Sequence, residues 1–288
     1  MPDEATTHLY SLLDQMIEGH QWLKSNLNVV PKSVWTVDPF GHGPVAPYLL
    51  RTAGLQNTVV QRIHYGFKRW LADRQISEFY WKMSWDTKDE ASILCHNFPF
   101  DIYSTKHSCG PDPKTCLAFD FRSVPGEYTE YSLNAVPITK NNVQTKAEML
   151  LEQYAKSGSL TPHNVVLVLV GDDFRYDHDV EWDQQYINYQ NLFNYINANG
   201  AHYNAEIGFG TLSDYFDAVR SRSKKFPSLR GDFFPYSDIF SEGRPAYWTG
   251  YFTTRPFYKV KNKTSTAQTS QKVHSSTRRF ASNYSQPP

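Results

Sequence analysis

The chain has 288 residues, and 29 lysines and arginines balance 29 aspartates and glutamates, so the formal net charge at pH 7 is zero. A neutral chain gives no electrostatic reason to expect a nucleic-acid partner, because such partners attract proteins through a positive field. No apolar run approaches the roughly 18 residues of a membrane helix, and residues 1–5 show no signal-peptide pattern. The length predicts one large or two small domains.

Helical and strand-like patterns alternate along most of the chain. Apolar residues at helical spacing predict a first helix from about residue 4 to 27, with Asp3 as its N-cap. Further helices are predicted at about 44–53, 66–74, 142–157, 181–199 and from 211, and strands at about 34–37, 58–62, 78–85, 91–96, 164–170 and 203–207. This alternation predicts an α/β fold with a mostly parallel sheet or a barrel-like (β/α) catalytic domain, and with helices on both faces.

Residues 97–143 are rich in proline and glycine and predict a long irregular excursion. Within it, Cys109 and Cys116 flank a proline-rich turn that a disulfide would close in an oxidising compartment. Cys95 lies in an apolar run and is typical of a small buried hydrophobe.

The composition changes near residue 259. From there to residue 288 the chain is polar and predicts a disordered tail. Asn262 and Asn283 each begin a triplet that fits the N-glycosylation pattern, although such triplets arise easily by chance in segments rich in serine and threonine.

Carboxylates follow two of the predicted strands. Asp38 comes directly after the strand at 34–37, and Asp172 and Asp173 follow the strand at 164–170. If the sheet brings these strand ends together, they form the carboxylate pair that glycoside hydrolysis requires. Arg62, Arg175 and Tyr103 would then orient the sugar and the carboxylates. Helix capping by Asp38, and helix capping or pairing with Arg175 by the two later aspartates, are the structural alternatives.

A metal site is a competing interpretation of the same region. Asp38, His42, His64 and His96 lie near predicted strand ends and supply oxygen and nitrogen donors. However, there is no HExxH or CxxC pattern, and a lone histidine is more often a hydrogen-bonded core residue. The sequence also lacks the glycine-rich motifs of nucleotide sites.

Seven motifs, in order along the chain, carry a resemblance to a known family. They are WTVDPFGH at 35–42, QRIHY at 61–65, HSCGPDPKTC at 107–116, GDDFR at 171–175, FGTLSDYF at 209–216, GDFF at 231–234 and YWTGYFTTRP at 247–256. Together they resemble glycoside hydrolase family 38, the class II α-mannosidases, and the second and third motifs resemble its Golgi branch.

The resemblance implies a retaining, zinc-dependent exo-mannosidase that trims mannose from N-glycans in the Golgi. In the family pattern Asp38 matches the nucleophile, which is also a zinc ligand, and Asp173 matches the general acid/base. Arg62 and Tyr103 match residues beside the nucleophile, and Asp172 matches an acid that contacts substrate. Zinc in this family binds the mannose hydroxyls and helps to distort the ring.

The resemblance also implies a partial domain. Residues 1–258 match a part of the family's catalytic domain, and residues 259–288 lie outside the match. The other three zinc ligands, the membrane anchor and the C-terminal regions of the family are expected to be absent, so that Asp38 is the remaining ligand. A truncated chain that is inactive or nearly so is therefore predicted. The alternatives are a non-catalytic paralogue or isoform that at most binds sugar or a partner chain, and, more remotely, an unrelated α/β hydrolase without zinc.

Overall fold

The computed structural model describes residues 1–87, 91–100, 102–125, 133–239 and 243–261. Its centre is a five-stranded sheet in the order β1-β2-β4-β3-β5. The strands are β1 (Ser33–Thr36), β2 (Asn57–Val60), β3 (Glu78–Lys82), β4 (Ile93–Asn97) and β5 (Ser228–Arg230), and β6 (Ser237–Asp238) pairs with β7 (Ala246–Tyr247) in a separate ribbon. The helices are α1 (Leu9–Leu27), α2 (Ala46–Thr52), α3 (Tyr65–Asp73), α4 (Pro113–Leu117), α5 (Val143–Gly158), α6 (Asp179–Ala198), α7 (Gly200–Tyr203) and α8 (Leu212–Arg222).

The sheet is mostly parallel, as predicted. β1 pairs with β2, β2 with β4 and β3 with β5 in parallel, whereas β3 and β4 are antiparallel. The order runs from an edge at β1 to an edge at β5, so the described residues form an open sheet and the barrel alternative is wrong.

Helices cover both faces of the sheet. Successive strand residues point to opposite sides, so each face has an apolar surface that helices bury. On one face Val60, Ile93 and Cys95 pack with Ala46 of α2 and Leu71 of α3. On the other face the apolar strand residues pack against α8, in a cluster that contains Val37, Val59, Leu94, Phe216 and Val219. A third core lies beyond the sheet, where α4, α5 and α6 meet around Phe119, Leu150 and Leu192.

Cys109 and Cys116 form a disulfide within this third core, and Cys95 is a buried free thiol of β4. The disulfide closes the turn that leads into α4. Asp112 caps that helix by accepting from the backbone N–H groups of Lys114 and Thr115.

The predicted strand at 164–170 is wrong as a ladder strand. The segment has no regular secondary structure and pairs with none of the strands among the described residues. Val165 and Leu167 pack on the core beside α8, whereas Val168 and Val170 pack on the core beside α6. A segment that packs between two cores shows the apolar pattern of a buried strand without making a ladder. The strand predicted at 203–207 is also absent, since α7 occupies its first residue.

Both ends of the chain depart from their predicted boundaries. α1 begins at Leu9 after His8, whereas Asp3 accepts from the backbone of Ala5 and Thr6 in a separate turn. The predicted exit of α1 is confirmed, because Asn28 ends it in the left-handed conformation. The predicted disordered tail starts at residue 259, but residues 256–261 are helical, and residues 262–288 with Asn262 and Asn283 lie outside the described part. None of the described helices is long and apolar enough to cross a membrane.

Candidate functional site

Strand register places Asp38 beside Arg62. Thr36 of β1 pairs with Val60 of β2, and each strand delivers a charged residue two positions later at the same edge of the sheet. The Nε of Arg62 donates to Oδ1 of Asp38 at 2.5 Å. Helix capping by Asp38 is therefore wrong, since α2 begins after Val45 and has no side-chain cap. The Asp38 side chain is 35% exposed, so a ligand can reach it from solvent.

Arg62 sits among four aromatic rings. Its guanidinium carbon lies 4.9 to 5.9 Å from the ring centroids of Trp248, Phe40, Tyr236 and Tyr103, within the range of cation–π attraction. Burial alone would lower the pKa of Arg62, but the hydroxyl of Tyr236 and the carboxylate of Asp38 stabilise the cation and raise that pKa. Arg62 is therefore a fixed positive charge that orients Asp38.

Tyr103 links this pair to the second carboxylate. Its hydroxyl donates to Oδ1 of Asp173 at 3.1 Å, while its ring faces the Arg62 guanidinium. Burial, followed by the negative charges of Asp38 and Asp173, raises the pKa of Tyr103 to about 12. The hydroxyl thus stays protonated at neutral pH and acts as a donor. The structure brings Asp38, Arg62, Tyr103 and Asp173 into one chain of contacts.

Asp172 plays a different local part. Its Oδ1 accepts from the backbone N–H of Asp173 at 2.8 Å, which fixes the turn between the two acids. The two acids lie outside α6, whose N-cap is His178, so the helix-capping alternative is wrong for them.

Arg175 does not orient the site, contrary to the prediction. Its guanidinium donates to both oxygens of Asp120, at 2.9 and 2.6 Å, and its Nε donates to Glu181 at 2.5 Å. Glu181 is fully buried and also accepts from Arg122 and from the backbone of Tyr176. Arg175 therefore anchors the loop after Asp173 onto α6.

Four site residues were missed by the sequence reasoning. Phe40, Tyr236 and Trp248 surround Arg62, and the Tyr236 hydroxyl donates to Oδ2 of buried Asp238 at 3.5 Å. Phe40 lies inside the motif at 35–42 and Trp248 inside the motif at 247–256. Their place in these motifs was the sequence signal that could have identified them. Nothing in the local pattern indicated that these aromatic side chains converge on one arginine.

The histidines considered as metal donors are engaged elsewhere. His42 is fully buried, its Nδ1 contacts Glu4 at 2.9 Å, and its ring packs against Trp81 and Phe233. His64 accepts from the backbone of Gly66 at 3.0 Å, and His96 contacts Glu78. No group of three histidine, cysteine or acidic side chains suited to a metal occurs among the described residues. These donors do not fit a four-coordinate zinc site.

The fold and the site together define a class. This is an α/β domain that presents two carboxylates, an arginine and a tyrosine at the carboxyl edge of a mostly parallel sheet, and a carboxylate pair is what glycoside hydrolases use.

Comparisons with known proteins specify the family. Residues 1–239 match the N-terminal domain of the glycosyl hydrolases family 38, and the chain belongs to that family. It is 60% identical over 260 residues to alpha-mannosidase 2 of Spodoptera frugiperda and 48% identical over 269 residues to that of Homo sapiens. In both cases the match covers 90% of this chain and 23% of the relative, so the chain spans about a quarter of their length.

A solved structure supports the fold. An alpha-mannosidase from Enterococcus faecalis superposes with a TM-score of 0.51 at 14% identity, over 81% of this chain and 21% of that chain.

Proposed function

We propose that this site supplies the carboxylates for retaining hydrolysis of terminal α-linked mannose in the complete enzyme, with Asp38 as the nucleophile and Asp173 as the general acid/base. The observation that carries the proposal is the contact chain from Asp38 through Arg62 and Tyr103 to Asp173 in a member of family 38. Two carboxylates joined through one set of contacts support the proposal, because glycoside hydrolysis uses a pair of carboxyl groups.

Asp38 attacks the anomeric carbon in the first step. Protonated Asp173 gives its proton to the leaving glycosidic oxygen as that bond breaks, and a covalent mannosyl ester forms on Asp38. In the second step ionised Asp173 takes a proton from water, whose oxygen attacks the anomeric carbon and releases Asp38. Two inversions give net retention, and the starting protonation states return.

The surrounding residues have defined parts in these steps. Arg62 holds one oxygen of Asp38, which leaves the other oxygen for attack. Tyr103 donates to Oδ1 of Asp173, so proton exchange with the substrate falls to Oδ2. Phe40 and Trp248 flank the Arg62 guanidinium and shield that side of the ion pair from water, while Asp38 stays open to substrate.

The family resemblance implies zinc, with Asp38 as one ligand, but the described residues do not complete a zinc site. We therefore expect the purified 288-residue chain to bind zinc weakly and to release no mannose above a blank from an aryl α-mannoside. Mannose release and thermal unfolding, each with and without zinc, are the measurements, with Asp38→Asn as the matched control. Zinc-dependent release that disappears in Asp38→Asn would contradict this expectation.

The described residues lack a full set of zinc donors, and this also favours a second candidate function, a sugar-binding module without catalysis. NMR titration of the same sample with α-methyl mannoside tests the binding module. Shifts around Arg62 and Tyr103 would support it, and an unchanged spectrum would exclude it.

The proposed substrate is a mannose-containing N-glycan, and the proposed location is the Golgi membrane or lumen. Support comes from the similarity to proteins named alpha-mannosidase 2 and from the motifs of the Golgi branch. Fluorescent tagging of the gene product at its chromosomal locus tests the location, and an endoplasmic or cytosolic signal would exclude it.

A segment exchange tests the proposed chemistry directly. Residues 1–239 of this chain replace the matching segment of alpha-mannosidase 2 of Spodoptera frugiperda, which 60% identity makes structurally compatible. We expect the exchanged enzyme to release mannose at a rate within about tenfold of the parent. A folded, zinc-loaded exchange enzyme without activity would show that these residues do not carry the chemistry.

A further inference from the structure

A buried ionic cluster lies away from the proposed catalytic residues. Glu78 of β3, His96 of β4, His163 and Tyr215 of α8 are 3, 4, 5 and 6% exposed. Oε1 of Glu78 contacts Nδ1 of His96 at 2.5 Å, and Oε2 contacts Nε2 of His163 at 2.5 Å. The hydroxyl of Tyr215 donates to Oε1, so both carboxylate oxygens are engaged.

The cluster is joined to one end of the segment that carries Asp172 and Asp173. His163 directly precedes the segment 164–170, and its Nδ1 accepts from the backbone of Val165 at 3.3 Å. At the other end, Gly171 donates to Oγ1 of Thr105 at 2.9 Å, and the Thr105 backbone donates to the Gly171 carbonyl at 2.7 Å. Asp172 and Asp173 follow Gly171 directly.

These two attachments, together with the bond from the Tyr176 hydroxyl to the Val170 carbonyl at 3.1 Å, substitute for a missing ladder. An ordinary strand is held in register by backbone hydrogen bonds along its length, but no strand of the described chain pairs with 164–170. The side chains of Val165 and Leu167 on one core and of Val168 and Val170 on another restrict sideways movement. Apolar contacts are not directional, so they do not set the position of the segment along its own axis.

We propose that Glu78 is a positioning residue, which holds the segment 164–170 through His163 and thereby sets the place of Asp173 against Tyr103. The role of Asp173 in this inference rests on the proposed function, whereas the coupling from Glu78 to Gly171 does not. A carboxylate buried between two histidines is a costly way to hold a core together, because apolar residues would fill the same space at lower desolvation cost. Directional bonds to a carboxylate fix one position of the segment, which apolar packing does not.

Amide hydrogen exchange in the folded 288-residue chain tests this coupling. In Glu78→Gln the amides of Gly171 and Thr105 are expected to exchange at least about tenfold faster, relative to amides of β2 and of the interior of α5. Neither of these two amides is a hydrogen-bond partner of Glu78. Ile93→Ala is the matched control, because Ile93 is buried in the same sheet on the opposite face and a packing loss there should affect exchange generally.

His163→Phe and His163→Gln provide a second test that leaves the contacts of Glu78 with His96 and Tyr215 in place. His163→Phe should accelerate Gly171 and Thr105 exchange as Glu78→Gln does. His163→Gln restores an N–H donor toward Glu78 and should return the rates to within about threefold of the parent. Exchange that is unchanged, or that accelerates equally throughout the chain, in both Glu78→Gln and His163→Phe would overturn the proposal. The measurement needs no mannosidase activity, so its failure is distinct from a failure of the proposed function.

Discussion

Asp38→Asn in the segment-exchanged enzyme is expected to lower kcat/KM by about 10⁴-fold or more for every α-mannoside, because an amide does not attack the anomeric carbon. Asp173→Asn is expected to behave differently. Natural glycan substrates should lose about 10² to 10⁴ in rate, whereas an aryl mannoside with an acidic phenol still forms the ester without an acid catalyst. The contrast between the two substrates is what separates the nucleophile from the acid/base.

The controls for this pair come from the same site. Azide should rescue Asp173→Asn on the aryl substrate, since an anion attacks the ester without a general base, and should leave Asp38→Asn inactive. Asp172→Asn is the neighbouring control and should retain more activity than either variant, because Asp172 supports the turn through its contact with the Asp173 backbone. An Asp38→Asn enzyme that retains the parent rate, or azide rescue of Asp38→Asn in place of Asp173→Asn, would reverse or remove the assigned roles.

Acid stability of the 288-residue chain should depend measurably on Glu78. Burial alone would raise its pKa, but the bonds from His163 and His96 outweigh burial and lower that pKa from 4.5 to about 2. Because the pKa in the folded state lies below the unfolded value, this stabilisation is complete above about pH 5 and is lost as pH falls toward about 2. The full loss is about 3 kcal/mol, of which about 2 kcal/mol is lost by about pH 3.

Urea unfolding between about pH 3 and pH 6 measures this effect. The difference in unfolding free energy between the parent chain and Glu78→Gln should shrink by about 2 kcal/mol on acidification. Asp112→Asn is a matched control, since Asp112 is an exposed helix cap and its removal should give only a small change over the same range. Parallel pH profiles of the parent chain and Glu78→Gln would show that Glu78 is not held ionised by its partners.

The part of the site that depends on strand ends was predictable from sequence. Asp38 follows a strand, and parallel pairing in register places Arg62 at the same edge. The α8 start was also predictable, because Thr211 and Asp214 form the capping box that the local pattern indicates.

Other features depend on contacts between distant parts of the chain. The segment 164–170 has the composition of a buried strand, and only the arrangement of its neighbours decides that it makes no ladder. The local sequence around Glu78 indicates only a polar residue at the start of a strand. Its buried contact is with His163, which lies 85 positions away. The sequence predicts Arg175 in the site because it follows Asp173, but its guanidinium forms ion pairs with Asp120 and Glu181 instead. Side-chain direction in a loop is set by such partners and has no periodic signature.

Covalent trapping identifies the attacking carboxylate. The segment-exchanged enzyme is incubated with a 5-fluoro-mannosyl fluoride, which forms the glycosyl ester quickly and hydrolyses it slowly, and is then digested for peptide mass analysis. We expect a single fluoromannosyl adduct on Asp38, and none in Asp38→Asn. An adduct on Asp172 or Asp173, or inactivation without any adduct, would contradict the assignment of Asp38 as the attacking carboxylate.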